Sequence, residues 1–166
     1  MSQADNNRIL LKDIMLRRYL RLGESHTLHE VMGFLTDKHF EEEGLPFLVV
    51  IGEDGGFAGI LEPRTVITAL LEGVQRGLDE EESLRTAATV NLAKTVGHLM
   101  TRSIPTLGPG ACLEEAFVCH RQSGSEVIAI LEENRVIGLV TARILFEQAS
   151  TLTVGALTGG VIPPSH

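Results

Sequence analysis

The sequence predicts an α/β (α+β) fold made of two copies of one small unit, each a strand, a helix, two strands and a second helix. Lys12-Asp13-Ile14-Met15 opens one stretch, and Gly97-His98-Leu99-Met100 opens another. The two stretches end in similar strands, Gly59-Ile60-Leu61 and Gly138-Leu139-Val140. The openings lie 85 positions apart and the endings 79, so the first copy holds six additional residues. A repeated supersecondary unit restricts the fold more than any single motif does.

In the first copy the hydrophobic period changes from helical to extended and back. An i, i+3, i+4, i+7 pattern predicts an amphipathic helix that Ser25 or Thr27 could cap, with apolar positions at Leu28, Val31, Met32 and Leu35. The apolar run 46–51 predicts a strand covered on both faces, and a glycine-rich turn joins it to a strand at 57–61. Pro63 fits the first turn of the helix that follows.

The second copy repeats this order with shorter connections. Its predicted elements are a helix marked by Leu113, Ala116, Phe117 and His120, a strand at 127–131, a turn at 132–135, a strand at 136–140 and a helix at 142–149. Each copy also begins with a short extended piece, at 20–22 and 104–107. A helical connector is expected at 78–91, because four acidic residues near its start suit the positive end of a helix.

These assignments predict five regions along the chain. At 166 residues the chain fits one ordinary domain or two half-size units that complete one another's core, and we favour the second. The tail is rich in glycine and proline, so we expect it to be partly disordered. The regions are an N-terminal extension (1–9), the first repeat (10–73), a helical connector (74–95), the second repeat (96–150) and the C-terminal tail (151–166).

Composition indicates a cytoplasmic protein that binds neither nucleic acid nor membrane. The net charge is -8, the basic residues are scattered, and there is no Trp to stack on bases. No run approaches the roughly 18 apolar residues that a membrane span requires, and the polar start does not resemble a signal peptide. Cys112 and Cys119 would lie about two helical turns apart, which is too far for a disulfide.

Neither an enzyme nor a metal site is predicted. His26 and His29 stand three apart and His39 follows, yet no cysteine or second close histidine pair completes a metal site, so surface histidines are the favoured interpretation. Cys119 and His120 could suggest a thiolate with its base. Neighbouring helix positions point about 100 degrees apart, however, so these two side chains cannot form the required hydrogen bond.

The order of these elements resembles the cystathionine-β-synthase (CBS) domain, and the duplication resembles the tandem CBS pair, or Bateman module. The resemblance covers roughly residues 10–150. No single fragment is specific, so the assignment depends on order, spacing and duplication together. The fragments that match best lie in the second copy, at 99–107 (LMTRSIPTL), 113–116 (LEEA) and 135–141 (RVIGLVT).

This resemblance implies two copies packed about a pseudo-twofold axis, with two clefts that commonly hold adenosine-containing ligands. In the family each cleft is lined by residues before the first strand, by the start of the second strand, and by a Gly-apolar-apolar-Ser/Thr-x-x-Asp motif at the start of the last helix. The hydroxyl and the helix N–H groups suit a phosphate, and the carboxylate suits the ribose hydroxyls.

The motif is incomplete in both copies. The second copy keeps the hydroxyl at Thr141 but has Ile144 in place of the aspartate. The first copy has Glu62 at the hydroxyl position and Thr65 at the aspartate position. An anionic Glu62 should repel phosphate, so we expect any ligand in the second cleft. AMP, ATP and S-adenosylmethionine are the candidates, and the implied ligand-binding residues are Thr101, Ser103, Ile104, Thr106, Val127, Thr141 and Arg143.

Competing interpretations stay open for several of these residues. An arginine on the first turn of a helix, such as Arg143, is often a solvated surface side chain, and Thr106 could simply favour a strand. Ile144 stands next to Leu145 and Phe146, so we expect it in the core rather than in a pocket.

The resemblance predicts a non-enzymatic regulatory sensor that forms a homodimer and acts on a regulated protein that the sequence does not identify. One alternative is an interaction or dimerisation module without ligand, which the missing aspartate favours. Another is a sensor of divalent cations such as Mg²⁺, linked to ion transport, which the acidic runs at 41–43 and 79–82 suggest.

Overall fold

The computed structural model describes residues 8–36, 47–74 and 80–158, with side chains described as far as residue 155. The chain forms two compact units. The first-repeat unit is Arg18–Ile104, and the second-repeat unit combines Met1–Arg17 with Pro105–His166. Each unit contains one three-stranded sheet.

The mixed α/β fold predicted from the sequence is confirmed, with the elements in the expected order. Two predicted features lie outside the described residues, namely the end of the first long helix near 41–44 and the start of the connector at 78–79. In chain order the elements are α1 (Leu11–Ile14), β1 (Leu20–Gly23), α2 (Leu28–Thr36), β2 (Leu48–Ile51), β3 (Phe57–Leu61), α3 (Pro63–Leu70), α4 (Glu80–Asn91), α5 (Val96–Leu99), β4 (Thr106–Leu107), α6 (Leu113–Ser123), β5 (Val127–Glu132), β6 (Arg135–Thr141) and α7 (Ala142–Thr158).

In the first-repeat unit the sheet order is β1-β2-β3, with β1 parallel and β3 antiparallel to β2. The central strand is buried at three successive positions, which explains its continuous apolar sequence. Thr27 caps α2, because its hydroxyl accepts the Glu30 N–H while the Glu30 carboxylate accepts the Thr27 N–H, both at 3.3 Å. Of the two predicted caps, Thr27 is therefore the one used.

The C-terminal end of α3 is held by two side chains that follow it by about twenty residues. The buried Asn91 amide donates to the carbonyls of Leu70 (2.9 Å) and Glu72 (2.8 Å). The Lys94 ammonium donates to the Ala69 carbonyl (3.2 Å) and pairs with the Glu72 carboxylate, which lowers the pKa of Glu72. Carbonyl groups at the end of α3, which the helix itself leaves unpaired, thereby gain partners.

In the second-repeat unit the sheet order is β4-β5-β6, with β4 parallel and β6 antiparallel to β5. The β5–β6 turn uses Glu133 and Asn134 at φ 51° and 65°, as a two-residue hairpin between Glu132 and Arg135 requires. Gly124 ends α6 at φ 67°, and its N–H donates to the His120 carbonyl at 2.8 Å.

The last helix is longer than the sequence predicted. We expected a helix at 142–149 followed by a tail, whereas α7 continues to Thr158. Two hydroxyl groups in this extension bond to carbonyls one turn earlier, Thr151 to Glu147 (2.9 Å) and Thr153 to Ala149 (2.7 Å). Such bonds give each threonine hydroxyl a partner within the helix, although they do not stabilise the helix. The remainder of the predicted tail, 159–166, lies outside the described residues.

Each sheet is extended by a segment from the opening of the other sequence repeat. We call residues 8–17 the N-terminal segment and residues 94–101 the connecting segment. Leu16 exchanges two backbone hydrogen bonds with Leu139 of β6, at 2.7 and 2.9 Å. Thr101 makes the equivalent pair with Ile60 of β3, at 2.8 and 3.0 Å. The compact units therefore do not follow the repeat boundaries 10–73 and 96–150, which stay a prediction about the sequence repeats.

Two glycines permit this close approach. A Cβ on Gly138 would overlap the Met15 thioether, and a Cβ on Gly59 would lie 2.5 Å from the Thr101 carbonyl oxygen. Real Cβ atoms do not approach other heavy atoms so closely. The two glycines that first suggested a repeat in the sequence are therefore the positions where each segment docks.

We predict that Gly138→Ala destabilises the protein by about 1–3 kcal/mol, because the new methyl group must displace Met15 from its packed position. Gly33→Ala is the matched control, since Gly33 lies inside α2 with no neighbouring atom within 4 Å of the new Cβ. It should stabilise the protein by up to about 1 kcal/mol through helix propensity. Urea unfolding of both variants checks the signs, and equal stability of Gly138→Ala and the parent chain would contradict the packing argument.

Candidate ligand-binding site

The seven residues implied as ligand-binding divide between the two units. Four of them belong to the second-repeat unit and three to the first-repeat unit. The first group is Thr106, Val127, Thr141 and Arg143, and the second is Thr101, Ser103 and Ile104. Each group is described within its own unit.

Val127 and Thr141 lie directly opposite each other where β5 begins and β6 ends. Val127 is fully buried, so only its backbone could face a ligand. The Ser125 hydroxyl already donates to the Val127 carbonyl at 2.7 Å and lies 3.3 Å from its N–H. Thr106 is exposed on the neighbouring strand and pairs with Ala129. Ser125 was not singled out from the sequence, since one serine after a helix carries no distinctive signal.

Thr141 has a structural role in α7 whether or not a ligand binds. Its side-chain oxygen accepts the Ile144 N–H at 3.2 Å, which is the geometry of a helix N-cap. The next N–H, that of Ala142, donates to the Glu126 carbonyl at 2.9 Å. A hydroxyl has one proton and two lone pairs, so the cap leaves Thr141 capable of donating to an anion.

Arg143 is a surface side chain on the first turn of α7. It is 76% exposed, and its Nε donates to the Glu147 carboxylate at 3.2 Å. An exposed pair at this helical spacing contributes only about 0.3–0.5 kcal/mol. The guanidinium can therefore turn from Glu147 to a bound anion at small cost.

Ile144 is partly buried and lies against the core, as the sequence led us to expect. It packs against the buried cluster of the second-repeat unit, next to Leu145, which is buried. A carboxylate at this position would lie against apolar side chains and lose hydration. The replacement of the family's aspartate is therefore part of the packing of α7 and removes a bond acceptor for ribose.

The three residues in the first-repeat unit make mainly backbone contacts. Thr101 uses its N–H and carbonyl to pair with Ile60, and its side chain is exposed. Ser103 is exposed, and the Ile104 N–H donates to the Arg102 carbonyl at 3.0 Å. Glu62 takes the N-cap position of α3 and makes no side-chain cap bond.

An open depression of about 580 Å³ in the first-repeat unit was missed at the sequence level. It lies at the carboxyl ends of β1 and β2, the strand ends opposite those next to Glu62, because Leu48 pairs with Leu61 and Ile51 with Phe57. Its lining comes from four separate stretches of chain, so no local sequence pattern predicts it. The charged and polar lining groups are Glu24, Ser25, Glu53, Thr95, His98 and Arg102.

The polar groups of this depression largely satisfy one another. Arg102 Nη1 lies 2.9 Å from Glu24 Oε1, and Thr95 Oγ1 lies 2.7 Å from His98 Nδ1. A second depression, of about 560 Å³, follows α6 in the second-repeat unit and is mainly apolar, with Leu107, Val118 and Cys119 in its lining.

Two of the histidine residues considered for catalysis or metal binding have other hydrogen-bond partners. His26 Nδ1 accepts the Gly23 N–H at 2.9 Å. His120 Nδ1 donates to the Ser125 carbonyl at 2.7 Å rather than contacting Cys119. Burial raises the pKa of the Cys119 thiol, which opposes formation of a thiolate.

Neither a group of metal ligands nor a membrane-spanning helix occurs among the described residues. Within 8–36, 47–74 and 80–158 no three side chains of the histidine, cysteine, aspartate and glutamate types are grouped to hold a metal, and His39 lies outside these ranges. Over the same ranges no helix has the length and apolar character needed to cross a membrane.

Comparison with known proteins identifies the domain and the fold. A sequence model of the CBS domain matches residues 11–72. The CBS domain of a CBS domain-containing membrane protein from Sphaerobacter thermophilus superimposes with a TM-score of 0.67 at 18% identity, over 84% of this chain and 87% of that one. No curated protein sequence matches significantly.

Two further solved structures share the fold. CBSX2, a CBS-pair protein from Arabidopsis thaliana, gives a TM-score of 0.64 at 16% identity over 89% of this chain and 99% of that one. CBSX2 has also been solved in complex with AMP. The cytosolic domain of the Mg²⁺ channel MgtE, in complex with ATP, gives 0.60 at 20% identity over 81% of this chain and 46% of that one. At these identities the likeness establishes the fold alone.

We predict that Thr141→Ala lowers the free energy of unfolding by about 1 kcal/mol through loss of the α7 cap. Thr141→Ser and Thr141→Asp should stay close to the parent chain, because both residues are good N-caps. Arg143→Ala should change stability by less than about 0.5 kcal/mol, since the side chain is exposed. Chemical unfolding of the four variants checks this order, and a neutral Thr141→Ala would show that the cap contributes little.

Proposed function

We propose, from the premise that this chain is a tandem CBS-domain protein, that it is a regulatory sensor without catalytic activity whose second-repeat unit binds an adenosine-containing ligand. The observation that carries the proposal is the arrangement of Thr141 and Arg143 at the start of α7. A hydroxyl that can donate and a cation that can turn toward an anion stand within one helical turn of each other.

Phosphate is the group that this arrangement favours. The start of a 17-residue helix carries a partial positive charge and backbone N–H groups. Arg143 adds a full positive charge with several donors. At the equivalent position of the first repeat Glu62 presents a carboxylate instead, so we infer one phosphate-binding end per chain rather than two.

Ribose recognition should be weaker than in a site with the complete motif. Ile144 replaces the carboxylate that would accept bonds from the ribose hydroxyls. A hydrogen bond to a charged group contributes about 1.5–3 kcal/mol, so its loss corresponds to roughly a 10- to 100-fold weaker complex. We propose Thr106 and the Val127 backbone as further contacts in this unit, while Thr101, Ser103 and Ile104 belong to the first-repeat unit and stay a prediction from the family resemblance.

AMP, ATP and S-adenosylmethionine are the ligands we propose to test. AMP and ATP occupy two neighbours of the same fold, CBSX2 and the MgtE cytosolic domain.

We also propose a cytoplasmic location, which the two free cysteines, Cys112 and Cys119, and the cytosolic origin of one neighbour support. In a sensor of this kind the ligand binds two conformations of the protein with different affinity and so shifts their populations. An unidentified regulated protein would respond to this shift.

The second candidate function is an interaction module without ligand. The packing of Ile144 into the core favours it, because that packing leaves no acidic side chain at the ribose position. The same panel of ligands separates the two functions, and Mg²⁺ belongs in it to test the cation-sensor alternative.

Self-association is the third part of the proposal. Ile67 lies on α3 and is 50% exposed, and Leu71 and Val74, which follow the helix, are 42% and 37% exposed. Phe146, at the equivalent position of α7, is 72% exposed. Apolar patches of this kind on helices mark interaction surfaces, so we propose that a homodimer covers them.

We predict that the parent chain gains thermal stability with at least one adenosine-containing ligand and that Thr141→Asp abolishes this gain. A ligand at 100 times its dissociation constant adds about 2.7 kcal/mol. The aspartate keeps the helix cap while its charge repels phosphate, so loss of binding cannot be attributed to unfolding. Thr141→Ser is the matched control and should retain the shift. Absence of any heat in calorimetric titration at millimolar concentration would contradict the adenosyl proposal and favour the ligand-free module.

We predict that Ile67→Lys combined with Phe146→Lys converts the dimer to a monomer in sedimentation velocity measurements, because a charge would have to be buried in each apolar face. Val90→Lys is the control, since Val90 is equally exposed on α4 but lies outside these faces. A parent chain that already sediments as a monomer would rule out the proposed association.

A further inference from the structure

We propose that the second-repeat unit contains a peptide-binding groove, filled here by the N-terminal segment, that also accepts the same segment from a second copy of the chain. We call this the acceptor groove, and define it by Ala111, Leu113, Gly138 and Leu139. The proposal concerns contacts within the second-repeat unit and does not depend on ligand binding at Thr141.

Backbone hydrogen bonds hold the N-terminal segment at both ends. The Leu11 N–H donates to the Ala111 carbonyl at 2.9 Å, and the Leu113 N–H donates to the Ile9 carbonyl at 2.8 Å. At the other end Leu16 and Leu139 exchange two bonds of 2.7 and 2.9 Å. Leu16 thus pairs with the edge of β6, while Leu11–Ile14, between the two anchor points, form α1.

Two side chains of the segment fit shaped positions in the groove. Leu11 is fully buried in the core of the second-repeat unit. Met15 is buried four residues later, in the space that the missing side chain of Gly138 leaves. The groove therefore recognises an apolar residue followed at i+4 by methionine, with backbone pairing on either side.

The segment is matched to this groove and not to the equivalent place in the first-repeat unit. There the connecting segment buries Val96 and Met100 in the same pattern. Lys12 corresponds to Gly97, and a Cβ at Gly97 would lie only 3.2 Å from the Glu24 carbonyl oxygen. Lys12 therefore disfavours docking of the N-terminal segment in the first-repeat unit, which leaves the acceptor groove as its site.

The contacts inside the groove are hydrogen bonds and apolar packing. They would therefore be the same for the chain's own segment and for the segment of a second copy. Residues 17–19 connect the segment to β1 without regular structure, and Arg17 and Arg18 are exposed. In the chain sequence the segment is separated by 87 residues from Pro105, where the rest of its unit begins. Docking within one chain is favoured by effective concentration, so exchange should appear when the chain's own docking is impaired.

Complementation between two full-length variants tests the proposal. Leu11→Asp damages the segment and leaves the groove intact, whereas Gly138→Leu damages the groove and leaves the segment intact. Both chains also carry Ile67→Lys and Phe146→Lys, so that association through the apolar helix faces cannot produce the result. We expect native mass spectrometry of the refolded mixture to show a one-to-one complex that neither variant forms alone.

The matched control mixes Leu11→Asp with a chain that carries both Leu11→Asp and Gly138→Leu. This pair contains no intact segment and should give no complex. A mixture of the two single variants that yields no more complex than this control would overturn the proposal.

A milder variant keeps the test decisive if Leu11→Asp fails to fold. A synthetic peptide of residues 8–17, titrated into full-length Leu11→Ala, should raise its melting temperature in a saturable way. The same peptide with aspartate in place of Leu11 should have no effect. Equal melting temperatures with both peptides would contradict the inference.

Discussion

Close contact between a methionine-bearing segment and a glycine on the third strand of each sheet is the constraint on which the rest of the structure depends. Met15 occupies the space above Gly138, and the backbone of Thr101 lies against Gly59. Each contact brings Leu11 or Val96 into the core, where both are fully buried. A small repeat has too little apolar surface to bury alone, and the docked segment supplies part of what is lacking. The repeat is therefore a unit of sequence, while the compact unit includes a segment from elsewhere in the chain.

The candidate site shows how one residue can serve the fold and still leave capacity for function. Thr141 caps α7 with one lone pair of its hydroxyl, and the same geometry aims the helix N-terminus at any bound anion. Arg143 is tied only to Glu147 at the surface. Ile144, by contrast, packs against the apolar core cluster and offers no polar group to a ligand. The proposed site is thus better suited to phosphate than to ribose, which is the combination that the altered motif indicated.

Most of the fold could be predicted because it follows from local patterns. A few neighbouring residues suffice to predict the helix at Leu28 and Val31 and the helix start at Pro63. The same holds for the turn that contains Glu133 and Asn134. The core position of Ile144 was also predictable from its apolar neighbours.

What could not be predicted depends on residues far apart in sequence. Nothing near Gly138 indicates that Met15 will pack on it, since 122 residues lie between them. The open depression near Arg102 is assembled from four stretches, and α7 extends past its predicted end to Thr158.

The side-chain clamp at the end of α3 has a consequence for how the two repeats differ. Asn91 and Lys94 bind carbonyls at the end of α3 and so define where that helix stops, whereas α7 is 17 residues long. The two repeats of this chain therefore differ in how their last helix ends. The end of α3 is held by side chains of its own unit, whereas α7 runs nine residues past its predicted end at residue 149.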